Sequence, residues 1–272
     1  MWQDVVDLNA FYNSRPGHVA QRMIRRRVRG IWPDLHGLSV LGLGYATPYL
    51  RPFRDEAERV VAVMPASQGV MPWPRNERRL VGLADEAELP LADDSIDRAL
   101  LVHAVECSEQ LRPMLREVWR VLKSGGRLLV VAPNRRGIWA RLERTPFGHG
   151  YSFSTAQLTQ LMRECMFSPL NSTTALYVPP SASGLMLRLA GAWEGLGERW
   201  SLPFAGVVLV EAGKQVYAAK AERAAKGARA YRAFIGGPQP AQRRRLGAAP
   251  LAAVQPPDRR PPSTATTCPV RP

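Results

Sequence analysis

Short runs of apolar residues, set apart by polar turns, recur along the first 220 residues of the chain. Several of them are rich in β-branched residues, which is typical of buried strands. The predicted strands cover residues 37–43, 59–64, 79–83, 96–102, 127–132, 169–178 and 206–210, and residues 214–217 are expected to extend the last sheet region. Because helical patterns alternate with these strands, we expect an α/β fold: a doubly wound, Rossmann-like, mostly parallel seven-stranded sheet with helices on both faces.

Apolar residues at helical spacing predict the helices between the strands. The pattern predicts helices over residues 109–122, 154–166 and 185–200, and a shorter one from residue 48 to about 57 that Pro52 limits. Glycines at 125 and 126 are expected to end the first of these with a left-handed cap. Residues 5–29 are also expected to be helical, with a hinge at Arg15-Pro16-Gly17.

The stretch from Ser39 to Pro48 predicts a buried strand that runs through a glycine turn into a helix. Gly42 and Gly44 allow a sharp turn and the close approach of a ligand. Thr47 suits the position that caps the helix, and Pro48 suits its first turn. The N–H groups of such a helix favour a phosphate or carboxylate, and nucleotide-like cofactors bind at this corner of doubly wound folds. The same pattern also occurs in turns that bind nothing.

Charge divides the chain into a body and a tail. The net charge is +14, and ten basic against two acidic residues give the segment from Ala221 to the end a charge of +8. Nine prolines and few large apolar side chains predict that this segment is disordered, apart from a helix that could form before Gly236. We therefore expect an N-terminal helical lid over residues 1–36, a central domain over 37–220 and a basic tail over 221–272.

Arginine is concentrated on the polar side of the second N-terminal helix. Five arginines occupy positions 22, 25, 26, 27 and 29. Three interpretations are open: a solvated basic face, a lid over the ligand corner, or a surface that contacts an anionic partner.

Other features of the sequence exclude classes of protein. No apolar run reaches the roughly 18–20 residues that span a bilayer, and the N-terminus lacks the layout of a signal peptide, so a cytoplasmic location is expected. The three cysteines, Cys107, Cys165 and Cys268, have no metal-binding spacing, and Cys107 and Cys165 are expected to be buried thiols. No metal site is predicted.

Three stretches in order carry a family resemblance. They are Val40-Leu41-Gly42-Leu43-Gly44-Tyr45-Ala46, then Leu89-Pro90-Leu91-Ala92-Asp93-Asp94-Ser95-Ile96-Asp97, then Arg120-Val121-Leu122-Lys123-Ser124-Gly125-Gly126-Arg127-Leu128. Together they resemble class I S-adenosylmethionine-dependent methyltransferases, of the small-molecule, type 11 kind, over about residues 38–133. The resemblance implies S-adenosyl-L-methionine as the cofactor and a mainly structural role for Asp97.

The resemblance also implies the site residues. Gly42, Gly44 and Ala46 would line the methionine part and ribose of the cofactor, and Asp85, with Glu86 beside it, would accept the adenine amino group. His103, after the fourth strand, would lie between cofactor and substrate. Two positions depart from the family pattern: Gly42 stands where an acid usually precedes the first glycine, and Met64 stands where an acid is expected to hold the ribose hydroxyls. Ser67 or Gln68 could replace part of that missing contact.

These residues lead to three hypotheses about function. The first is an S-adenosylmethionine-dependent methyltransferase that acts on an unidentified small molecule or protein, with His103 as the base where the acceptor needs one. The second is a methyltransferase-like protein without catalysis that serves as a binding or regulatory partner, and it is motivated by Gly42, Ala46 and Met64. The third is an RNA- or DNA-binding protein, motivated by the arginine-rich helix and the basic tail, with weak contact expected through the tail. His103 could also be a histidine with a purely structural role at a strand end.

Overall fold

Seven strands form one sheet at the centre of the computed structural model, which describes residues 4–180, 191, 193–195, 197 and 204–215. The strands are β1 (Ser39–Gly44), β2 (Arg59–Pro65), β3 (Val81–Ala84), β4 (Ile96–Val102), β5 (Leu122–Pro133), β6 (Phe167–Ala175) and β7 (Val207–Lys214). Their order across the sheet is β3-β2-β1-β4-β5-β7-β6. The pairs from β3 to β5 are parallel, whereas β7 is antiparallel to β5 and β6. This confirms the predicted fold class.

Helices cover both faces of the sheet, as expected. They are α1 (Val5–Tyr12), α2 (Arg15–Ile31), α3 (Thr47–Leu50), α4 (Leu111–Val121) and α5 (Thr155–Glu164). Alternate residues of β1 point to opposite faces: Val40 packs with α1, α2 and α3 in one core, and Leu41 and Leu43 pack with α4 and α5 in the other. The N-terminal helices therefore share a core with the sheet.

The first two helices are separated at Asn13 and Ser14, not at the predicted hinge of Arg15-Pro16-Gly17. Ser14 caps α2, because its Oγ accepts a hydrogen bond from Gly17 N at 3.2 Å. Pro16 lies within the first turn of α2, where a missing N–H costs nothing. The proline therefore begins the second helix and does not divide the pair.

Two other helix ends differ from the sequence prediction. The helix expected from residue 48 to about 57 is only α3 followed by a 3₁₀ turn at Arg51–Phe53, so Pro52 stops it earlier than predicted. α4 ends at Val121 and passes directly into β5, so the predicted cap at Gly125 is wrong. Gly125 does have a φ of +81°, but it lies where the register between β4 and β5 shifts.

Some predicted segments lie outside the described residues. The predicted helix over 185–200 is described at only five positions, and residues 216–272, which include the predicted basic tail over 221–272, are not described.

Arg120 joins the second and third sequence motifs. Its guanidinium donates to the carbonyl oxygens of Leu89 at 3.0 Å and Leu91 at 2.9 Å. It also pairs with the carboxylates of Glu117 and Asp93. The guanidinium thus holds the loop before β4, which carries the second motif, against the end of α4, where the third motif begins.

Asp97 has the structural role that the resemblance implied. Its Oδ2 accepts hydrogen bonds from Ser39 N at 2.9 Å and from Lys123 Nζ at 2.8 Å. Desolvation of Asp97 is outweighed by these two hydrogen bonds, so its pKa lies below the ordinary value. The ionised carboxylate therefore connects β1, β4 and β5.

We predict that Asp97→Asn lowers the free energy of unfolding at pH 7 by about 1–2 kcal/mol, because a charge-assisted contact is lost. A depressed native pKa contributes stability above the unfolded-state pKa and loses it as the pH falls through the native value. The difference between the two proteins should therefore shrink below about pH 4 in urea titrations. Asp55→Asn, at an exposed position, is the control, and a pH-independent difference would contradict this account.

Candidate active site

The glycine turn closes tightly against the end of β4. Gly44 has a φ of +79°, and a Cβ built on it would lie 2.4 Å from Val102 O and 3.0 Å from Ala104 Cβ. The next residue, Tyr45, donates its backbone N–H to the same Val102 oxygen at 2.8 Å. Gly44 is therefore required both by its backbone angle and by the lack of space.

Gly42 serves the packing of α3. It lies inside β1, and a Cβ there would lie 2.4 Å from Leu50 Cδ1 and 2.8 Å from Ala46 Cβ. Thr47 is the first residue of α3 and not its cap, since Ala46 occupies the cap position without a side-chain bond. The sequence prediction of a cap at Thr47 is wrong, and a helix of four residues does not support the predicted anion site.

His103 lies at the centre of a buried hydrogen-bond network. It directly follows β4 with a φ of +50° and is 1% exposed. Its Nδ1 lies 2.9 Å from Glu106 Oε1, and its Nε2 lies 2.8 Å from the Tyr12 hydroxyl. That hydroxyl is also 2.9 Å from the hydroxyl of Tyr49. We call Glu106, His103, Tyr12 and Tyr49 the Tyr12 network.

One oxygen of the network has no partner. Glu106 is 1% exposed, and its Oε2 makes no hydrogen bond with any described residue. Burial, with Tyr49 and the charge of Glu106, raises the pKa of Tyr12, and burial likewise raises the pKa of Tyr45 to about 12. The tyrosines therefore stay protonated at neutral pH and act as neutral hydroxyl groups beside the carboxylate.

α1 is held over the carboxyl ends of β1, β2 and β4. The Tyr12 ring stacks on Tyr45, with centroids 5.5 Å apart and an interplanar angle of 18°. At the other end of α1, Val5 N donates to Gln68 O at 2.8 Å, and the buried Gln68 side chain donates to His103 O. Side chains of the protein itself thus fill the corner above the glycine turn.

Met64 lies in the apolar core at the end of β2. It pairs with Leu83 of β3 and is 1% exposed. Gln68, one of the two residues expected to replace the missing acid, is already bonded to His103 O. Ser67 instead lines a shallow groove nearby.

That groove, about 100 Å³ in volume, brings the predicted adenine-binding residues together. It is lined by Pro65, Ala66, Ser67, Asp85, Glu86, Glu109 and Gln110. Asp85 is exposed there, with Oδ1 accepting from Ala87 N at 2.8 Å. Glu86 is buried and accepts from Ser108 Oγ at 2.5 Å and Gln110 N at 3.2 Å. Asp85 is therefore accessible to a ligand, whereas Glu86 ties two loops together.

A larger cavity of about 700 Å³ lies on the other side of α1. Its lining residues are Asp7, Phe11, Ser14, Pro16, Arg144, Thr145 and Pro180. The Phe11 ring packs edge-on against Phe147 at 6.1 Å, and Phe147 lies 5.1 Å from the His103 ring. Two aromatic side chains therefore separate this cavity from His103. His149, two residues after Phe147, contacts the backbone oxygen of Glu143 and is not part of the Tyr12 network.

Other kinds of site are poorly supported in the part of the chain that the structure describes. Asp34, His36 and Glu56 are the one group there whose ligand atoms lie within 4.8 Å of each other. Arg29 binds both carboxylate oxygens of Glu56, so that group is an ion-pair cluster. Cys107 and Cys165 are buried thiols, as expected. None of the described helices combines the length and apolar character needed to cross a membrane.

Comparison with known proteins identifies the central segment. Residues 40–130, which contain β1 to β4, α4 and most of β5, match a family model described as a methyltransferase domain. Over these residues the chain is similar to methyltransferase domains. No curated protein matches the chain.

Solved structures resemble the methyltransferase domain and its flanking elements. A complex between the Haloferax volcanii Trm112 methyltransferase activator and a proposed methyltransferase matches at 16% identity and a TM-score of 0.54, covering 79% of this chain and 100% of the other. The cyclase SpnF matches at 23% identity and a TM-score of 0.52, covering 72% and 81%. A methyltransferase from Thermotoga maritima matches at 21% identity and a TM-score of 0.48, covering 73% and 99%. At these identities, the two likenesses with TM-scores above 0.5 show the fold alone.

We predict that Gly44→Ala lowers the free energy of unfolding by about 3 kcal/mol or more, because a left-handed backbone and a clash with Val102 O act together. Gly125→Ala is the matched control: its φ is +81°, but a Cβ would meet nothing within 4 Å. It should cost only about 1–2 kcal/mol. Urea denaturation measures both, and equal losses would show that close packing at Gly44 is unimportant.

Proposed function

We propose that this chain is an S-adenosylmethionine-dependent methyltransferase that acts on a small-molecule or protein acceptor. The observation that supports this most directly is the convergence of the Gly44 turn, Asp85 and the His103–Glu106 pair on one edge of the sheet. Gly44, Asp85, His103 and Glu106 all lie inside the segment that matches the methyltransferase domain. At this edge of a doubly wound sheet ligands bind where the strand order reverses.

The residues present fit the cofactor in part. Asp85 is an exposed carboxylate that can accept from the adenine amino group, and Ser67 offers a hydroxyl in the same groove. The buried Oε2 of Glu106 has no partner among the described residues, so it is free to form a hydrogen bond with a ligand that enters the site. Met64 provides no acceptor for the ribose hydroxyls, which lowers the expected affinity by about 10- to 100-fold.

Cofactor binding requires α1 to move. The groove beside Asp85 holds about 100 Å³, whereas sites for cofactors of this size occupy several hundred. Tyr12, Tyr45 and Gln68 fill the adjoining corner. We infer that α1 is a lid, and that the two hydrogen bonds of the Tyr12 hydroxyl keep it closed.

His103 is suited to act as the base once the lid is open. Bound S-adenosylmethionine supplies an electrophilic methyl group, and the protein must then position and activate the acceptor. Glu106 holds Nδ1 of His103, which leaves Nε2 to accept a proton from an acceptor hydroxyl after Tyr12 withdraws. The 700 Å³ cavity, which Phe11 lines, offers room for an acceptor on the outer side of Phe11 and Phe147.

A second candidate function is ligand or partner binding without catalysis. Met64 in the place of the ribose acid and the closed corner above Gly44 favour it. The cyclase SpnF, which resembles this chain in fold, is named for a reaction other than methyl transfer. Fold alone therefore does not decide between the two functions.

Calorimetric titration of the full chain with S-adenosylmethionine and S-adenosylhomocysteine tests the proposal. We predict that the unmodified protein binds both, and that Tyr12→Phe binds S-adenosylhomocysteine about 5- to 30-fold more tightly, because the lid loses hydrogen bonds worth about 1–2 kcal/mol in total. Tyr177→Phe removes a hydroxyl bonded to Thr174 and should leave the affinity unchanged.

Variants at Met64 separate the two candidate functions. Met64→Asp should restore the ribose acceptor and tighten binding about 10-fold, with circular dichroism to confirm that the buried substitution folds. If the unmodified protein and Tyr12→Phe bind neither compound while the folded Met64→Asp variant binds both, methyl transfer is rejected and the binding function is retained.

A further inference from the structure

The arginines of α2 form one side of a groove. Arg22, Arg25, Arg26 and Arg29 from α2, Arg51 from the 3₁₀ turn after α3, and Pro52, Phe53 and Asp55 line a space of about 600 Å³. Two separate elements thus direct positive charge into one concave surface. Such a surface concentrates positive potential more strongly than a flat basic face.

Most of these charges lack an acidic partner. Arg29 binds Glu56 through two nitrogens and lies over the Phe53 ring at 5.4 Å. Arg22, Arg25, Arg26 and Arg51 form no ion pair with any carboxylate that the structure describes. Asp55 is the one acidic residue in the lining.

The fold holds the arginines in place. Met23, Ile24 and Val28 on the opposite side of α2 are buried in the core that joins α2 to the sheet. Arg22, Arg25 and Arg26 are exposed. The packed helix backbone therefore fixes the spacing of the arginines along one side of α2, so an anion has only their side chains to order on binding.

The row has the dimensions of a repeating anion. The eight residues from Arg22 to Arg29 span about 10 Å along the helix axis. Phosphates of one nucleic-acid strand follow each other at about 3.4 Å along the axis, so the row spans about three of them. A single phosphate would engage only part of it.

We propose that this groove binds the sugar–phosphate backbone of a nucleic acid. The proposal places the contact on the folded domain, separately from the basic tail, and it does not rest on methyl transfer. A membrane surface fits less well, because helices that bind membranes turn their apolar side outward. Here that side of α2 is in the core, and the exposed large apolar residues of the described chain, Val6, Val70, Leu83, Ile138, Tyr151 and Leu170, do not line the groove.

Binding of a fluorescent 20-nucleotide single-stranded RNA to the full chain tests the proposal, with salt concentration varied. Arg25→Gln/Arg26→Gln should lower the association constant about 10- to 30-fold near 100 mM salt, since two phosphate contacts are lost. The plot of log K against log salt should become less steep by about 1.4. Arg116→Gln/Arg163→Gln, which removes two exposed arginines from α4 and α5 on the other sheet face, should change the affinity less than twofold.

Three outcomes would overturn the proposal. Equal losses in both double variants would mean that only net charge matters, and an unchanged salt slope in Arg25→Gln/Arg26→Gln would assign binding to another surface such as the tail. Loss of binding to phosphatidylserine vesicles with unchanged RNA affinity would assign the groove to a membrane. All four positions are exposed, so thermal unfolding should stay unchanged and exclude misfolding as the cause.

Discussion

The hydrogen bond between Tyr12 and His103 links the N-terminal helices to the chemistry at the edge of the sheet. It joins residues 91 positions apart in the chain, and both are buried. On one side it extends to Tyr49 beside the glycine turn, and on the other to the carboxylate of Glu106. A buried polar group without a hydrogen-bond partner is costly. Moving α1 away from the sheet would expose members of this network to water or leave them without a partner. The position of α1 therefore decides what His103 can contact.

The rest of the domain keeps the carboxyl edge of the sheet in place. Gly42 lets α3 lie close to β1, and Gly44 lets the chain turn against Val102. Arg120 holds the loop before β4 through the carbonyl oxygen of Leu89. Asp97 holds the start of β1 through the backbone N–H of Ser39. These contacts stabilise the architecture, and Asp85, His103 and Glu106, to which the proposed function assigns ligand contacts, take no part in them. The same separation explains why the domain keeps the methyltransferase fold although Gly42 and Met64 depart from the usual pattern.

The fold was predictable from the sequence because β1, β2, β4 and β7 contain short apolar runs and α4 has a clear helical periodicity. Helix ends were less predictable. Ser14 ahead of Pro16 is a helix-cap signal at the observed break. Pro16 and Gly17 instead predicted a hinge just after it. The direct passage from α4 into β5 depends on a register shift with β4, which no local pattern encodes.

The site was predictable only in part. The resemblance to a family predicted cofactor-binding roles for Gly44, Asp85 and His103, and these roles remain predictions. Tyr12 was missed because a tyrosine in an amphipathic helix gives no sign of which strand end it will meet. Glu106 had a usable signal, three residues after His103, but its burial and pairing depend on tertiary packing. Glu86 was expected to face a ligand, and its bonds to Ser108 and Gln110 show why burial must be known before a carboxylate is assigned a role.

The most direct test of the lid is hydrogen–deuterium exchange of the full chain with and without saturating S-adenosylhomocysteine. Amides of α1, from Val5 to Tyr12, should exchange faster when the ligand is bound, because the helix must leave the corner above Gly44. Amides around Ser67 and Asp85 should exchange more slowly, and those of α4 and α5 should not change. Slower exchange throughout α1, or no change there with the groove protected, would contradict the account, since the ligand would then bind beneath a closed helix.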